Sequence, residues 1–160
     1  MKRSGPILLA ALAAGTAYAA GPQTPSDFGT LFCEASLAGD MALIEGALTP
    51  GLETIIADAL ARNAEIQAAA PDEKPPLGDG IPWRSWPDYA DGCEIGTITE
   101  SDGEAMVEIR YTFSGAPDAT YADQLVLRAA AVAGQGWLLD DIAFIEAMTL
   151  RKSLAEAFAP

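Results

Sequence analysis

A chain of 160 residues with 23 acidic against 9 basic side chains carries a net charge of −14 and no histidine. A field of that sign repels phosphate backbones and anionic lipid, which argues against nucleic-acid and membrane-surface partners. Without histidine there can be no Ser-His-Asp triad, no Cys-His pair and no His-ligated metal.

The chain opens with Lys2 and Arg3, an apolar run from Pro6 to Ala14, and Ala17-Tyr18-Ala19, the small-x-small pattern of a signal-peptidase site. Cleavage is expected after Ala19, giving a periplasmic or secreted protein. The run is too short to span a bilayer, and no later segment is long and apolar enough. Removing residues 1–19 leaves 141 of the 160, a single domain over residues 20–160. Loss of Lys2 and Arg3 takes the net charge from −14 to −16. Such a charge favours encounter with basic proteins or cationic ligands.

Phe28, Leu31, Phe32 and Ala35 form one apolar stripe, which predicts a helix from about Pro25 to Leu37. Cys33 projects away from that stripe, toward whatever lies over the helix's other side. The second cysteine, Cys93, ends a long irregular stretch. In an oxidising compartment a Cys33–Cys93 bridge would stabilise by roughly 4 kcal/mol in the chain-entropy picture. Two unpaired buried thiols are the alternative. Gly39-Asp40 breaks the first helix and starts a short turn through Met41, Leu43 and Ile44. Thr49-Pro50 is a second start signal, followed by Leu52, Ile55, Ile56, Ala59 and Leu60 at helical spacing, continuing to Ile66.

Pro71 to Gly92, "PDEKPPLGDGIPWRSWPDYADG", has too much proline and glycine for regular structure. Its three large aromatics predict a loop that is packed rather than disordered. Trp83, Arg84, Trp86 and Tyr89 are the leading ligand-site candidates. Aromatics flanking an arginine suit a planar, sugar-like or acidic group, by stacking plus a fork of donors. They equally suit a loop that plugs the mouth of a cavity with its own tryptophans.

The remainder is β in character. Glu94 to Glu100 is one strand, with turn chemistry at Ser101-Asp102-Gly103. Ala105, Val107, Ile109, Tyr111 and Phe113 alternate with polar residues in the next. Leu125 to Val132 is a third, and Trp137 to about Ile145 a fourth. Thr149 caps a short final helix with Leu150, Leu154 and Phe158 aligned. The fold class is α+β, with N-terminal helices on one face of an antiparallel sheet of about four strands.

The fourth strand carries two adjacent carboxylates, Asp140 and Asp141, in an apolar run. Neighbouring strand residues face opposite ways, so a regular strand would drive one of them into an apolar surface. A bulge could turn both outward, an arginine could pair the inward one, or that face could line a wet cavity. Arg110 and Arg128 are the only cations in the two preceding strands, and are the expected partners. A pair that fixes strand register and a ligand-facing carboxylate are both open.

The ending "GWLLDDIAFIEAMTLRKSL" resembles a branch of exported bacterial proteins in the nuclear transport factor 2-like superfamily, a domain of unknown function. Gly136, Trp137, Asp140, Asp141, Ile142, Thr149, Leu150, Arg151 and Leu154 carry the resemblance. It implies a cone, a strongly curved sheet wrapped around helices with a cavity between. Homodimers through exposed sheet surface are common in that superfamily.

No phosphate-cradling loop and no G-x-S-x-G nucleophile turn occurs. "DYADG" and "GDGIP" lack the alternating aspartates of an EF-hand, and no metal or cofactor is expected. The favoured reading is a non-catalytic binding or protein-interaction module of the periplasm, with an unspecified protein or small-molecule ligand. One alternative is an inhibitor of a basic partner such as a cell-wall hydrolase. The other is an enzyme using Asp/Tyr acid–base chemistry in the cone.

Overall fold

The structure is a computed structural model that describes residues 21–86, 88, 90–132 and 134–159. The expected signal segment therefore lies outside the described residues. Helix α1 spans Pro25–Ala38, and Thr24 caps it by a capping box, its hydroxyl accepting from the Asp27 amide. Gly39 ends it in the left-handed conformation. A single turn, α2, covers Ala42–Glu45, and the 20-residue α3 covers Pro50–Ala69 with Thr49 as its cap.

Four strands follow: β1 (Gly92–Ser101), β2 (Glu104–Thr112), β3 (Tyr121–Ala129) and β4 (Trp137–Ala143). They form one antiparallel sheet in the order β1-β2-β3-β4. The hairpin between β1 and β2 turns on Asp102 and Gly103, both with positive φ, the mirror-image geometry that matches strand twist. The closing helix α4 is Leu150–Glu156, capped by Thr149.

The core lies between one sheet face and the helices. Ala105, Val107, Ile109 and Tyr111 of β2, with Leu125 and Leu127 of β3, supply the sheet side. Phe28, Phe32, Leu52, Ile56, Leu150 and Leu154 meet them from the helices. Gly29 allows α1 to sit this close, because a Cβ there would come within 3.0–3.2 Å of Val107 and Ile95 side-chain atoms. That approach brings Cys33 over β1, where it is bonded to Cys93 with the two Cα atoms 5.4 Å apart.

Two expectations need correction. The sheet is not strongly curled. Eight β2–β3 pairs run without a break from Glu104↔Arg128 to Tyr111↔Tyr121, and only two register shifts, one in β1 and one between β3 and β4, bend the rest. Bulges raise twist locally, and two of them do not roll four strands into a cone. The third strand also begins four residues earlier than its apolar run suggested, because Tyr121 pairs with Tyr111 and stacks on its ring at 4.8 Å.

Candidate functional site

The proline-rich segment is packed, as its aromatics implied. Asn63 of α3 accepts from the Leu77 amide at 2.7 Å, and Leu77 is buried. Further on, Ser85 is held at two points. Its amide donates to the Asp123 carboxylate at 3.0 Å, and its hydroxyl donates to the other carboxylate oxygen. The same hydroxyl accepts from the Ile145 amide at 3.0 Å, so it joins β3 to the chain that leaves β4.

Asp123 is 1% exposed and sits in the inward row of β3 with Tyr121, Leu125 and Leu127. Burial raises its pKa above the usual carboxylate range, while the Ser85 bonds and the Arg84 charge act in the other direction. Beside it are the phenols of Tyr111 and Tyr121. Burial pushes the Tyr111 phenol up, and that of Tyr121 up to about 12. Ser36 acts on the first hydroxyl and the Trp86 backbone on the second, yet neither contact reaches hydrogen-bonding geometry.

The latched loop lines two depressions. The larger, about 1010 Å³, is lined by Met41, Glu45, Leu60, Leu77, Trp83, Arg84 and Trp86 among others. The smaller, about 360 Å³, shares Arg84, Ser85 and Trp86 with it and is otherwise lined by Phe144, Ile145 and Met148 among others. Trp83 is half-buried against the core, and Trp86 is 52% exposed. Neither phenol nor Asp123 lines either depression, so the loop covers the polar group beneath it.

Of the sequence candidates, Trp83, Arg84 and Trp86 come together here, and Tyr89 lies outside the described residues. The others are elsewhere. Asp140 is the extra residue of the β3–β4 bulge, since Leu127 faces Leu139 and Val126 faces Asp141. Leu139 and Ile142 thus both point inward, and both carboxylates avoid the core. Asp140 accepts from the Thr49 hydroxyl and from Arg151, each at 2.8 Å, with Arg128 at 3.7 Å. Asp141 accepts from the Arg151 amide at 3.1 Å, at the start of α4.

Arg110, expected beside these aspartates, instead pairs with Glu108 on its own strand at 2.9 Å. Two residues apart on β2, they share a face, and Glu108 is the nearer acid. Arg128 divides itself between Glu104 and Asp140. The chief partner, Arg151, comes from the helix after the strand.

Among the described residues, no group of three or more Cys, Asp or Glu is placed to hold a metal ion. No described helix is long and apolar enough to cross a membrane. Comparison with models of known families, with curated proteins and with solved structures finds no match.

Proposed function

We propose that the protein is a non-catalytic binding module of the periplasm, which holds its ligand in the larger depression beside the Trp83–Trp86 loop. The Ser85–Asp123 latch carries this reading. It fixes a short loop by three hydrogen bonds, so the tryptophans and Arg84 are presented in one geometry before a ligand arrives. A fixed aromatic rim around a hollow that mixes apolar side chains such as Met41, Leu60 and Leu77 with a few charged groups suits a small-molecule site.

The same latch disfavours catalysis. Asp123 would be the natural base, but it is covered and already bonded to both donors of Ser85. Kinship with the nuclear transport factor 2-like superfamily is part of the proposal, on the strength of the C-terminal pattern. Export is supported by the Cys33–Cys93 bridge, which suits an oxidising compartment.

The test is a titration with small aromatic and amphipathic compounds, followed by calorimetry and by tryptophan emission in wild type and in Trp86→Ala. Saturable binding that shifts the emission and weakens in the variant is the expected result. Binding of equal strength in Trp86→Ala, with emission unmoved in wild type, would place the ligand elsewhere and end the reading.

A further inference from the structure

Resting on that reading, we propose that the ligand of the larger depression is a cation with an apolar body, such as an alkyl- or arylammonium compound. Three ionisable side chains line the hollow: Glu45, Asp79 and Arg84. Asp79 is bonded by Lys74 at 2.6 Å, and Arg84 lies where its charge lowers the pKa of the buried Asp123. Glu45 is exposed and makes no ion pair among the described residues. Two of the three charges on the wall are therefore negative, and Glu45 is the acid that faces solvent without an ion pair among the described residues.

The surroundings reinforce that sign. Lys74, Arg110, Arg128 and Arg151 each face a carboxylate of the same chain, within a total charge of −14. Arg62 and Lys152 donate to the backbone carbonyls of Phe158 and Ala147. The excess of acids over these cations gives a negative field, which concentrates cations at a concave, low-dielectric mouth. The walls suit the rest of such a ligand. Met41, Leu60, Leu77 and Ile81 are apolar, and the rings of Trp83 and Trp86 are negative on their faces, which attract ammonium groups.

The experiment uses octyltrimethylammonium, octyl sulfate and 1-octanol below their aggregation limits, measured by calorimetry and tryptophan emission at low and raised salt. The cation should bind about fivefold or more tightly than octanol at low salt. Glu45→Gln should weaken the cation about three- to fivefold and leave octanol unchanged, and raised salt should narrow the gap. Glu45 is exposed on a one-turn helix, so the variant keeps the fold; an unchanged urea midpoint checks this.

Octanol binding as tightly as the cation would overturn the cationic preference while the binding-module reading stands. Tighter binding of octyl sulfate would overturn it in favour of Arg84. If none of the three moves the emission of Trp83 and Trp86, both readings fall together.

Discussion

Arg151 holds Asp140 twice, donating to its carboxylate and to its backbone carbonyl, each at 2.8 Å. The two contacts lock the bulge of β4 to the start of α4, and Thr49 adds the start of α3 through its hydroxyl. Both partners of the pair are mostly shielded, at 28% and 25% side-chain exposure. Removing one leaves the other short of partners in a poorly hydrated place.

Arg151→Ala should therefore cost about 2 kcal/mol of stability in urea unfolding. Arg151→Lys should lose part of that, since a point charge cannot make both contacts at once. Arg128→Ala should cost about 0.5 kcal/mol or less, because Arg128 is half exposed and only 3.7 Å from Asp140. Equal losses in Arg128→Ala and Arg151→Ala would refute this division of roles.

The disulfide closes a loop of 60 residues that contains α2, α3 and the whole aromatic segment. Reduction, or Cys33→Ser with Cys93→Ser, should lower stability by about 4 kcal/mol if constraint of the unfolded chain is the main effect. Mass analysis of exported protein should show two hydrogens fewer than the reduced chain. Two titratable thiols in the exported protein would contradict the bridge.

Ser85→Ala removes one of the two Ser85 donors to Asp123 and the hydroxyl that accepts from the Ile145 amide. A loss of about 1–3 kcal/mol is expected, with a red shift of tryptophan emission as the loop loosens. Ser85→Thr keeps the hydroxyl and should keep most of the emission spectrum. An unshifted spectrum in the alanine variant would mean that the loop is held by its apolar contacts instead.

Which parts were legible from the sequence follows from how far each interaction reaches along the chain. The stripe Phe28, Phe32 and Ala35 and the caps at Thr49 and Thr149 are local, and all are found in place. The Asp140–Asp141 doublet was visible as a conflict between charge and burial, and the bulge resolves it. Arg151 was harder to see, because it reaches back from a helix that begins after the strand has ended. Asp123 was hidden by a boundary. With the third strand read from Leu125, its alternation with Tyr121 and Leu127 had no meaning. Ser85 carries no signal at all, since a serine between an arginine and a tryptophan becomes a latch only once β3 lies beneath it.

Asp123 and Glu108 depart from the ordinary carboxylate range in opposite directions, so acid should separate them. The Asp123 pKa is raised above 3.8 in the fold, chiefly by burial, with Ser85, Arg84, Tyr111 and Tyr121 the groups that face it. The folded chain then holds this proton more tightly than the unfolded chain does, and ionised Asp123 weakens the fold at neutral pH. Stability is regained as pH falls through the raised value toward 3.8. Glu108 behaves oppositely. Arg110 and the Thr97 amide hold it down to about 2, so its contribution is present above 4.5 and disappears as pH falls toward 2. Urea midpoints taken from about pH 7 downward should show wild type gaining on Asp123→Asn, and the advantage of wild type over Glu108→Gln shrinking only in stronger acid. Parallel curves for wild type and Asp123→Asn would mean that Asp123 titrates as an ordinary solvated carboxylate, and the buried latch would have to be abandoned.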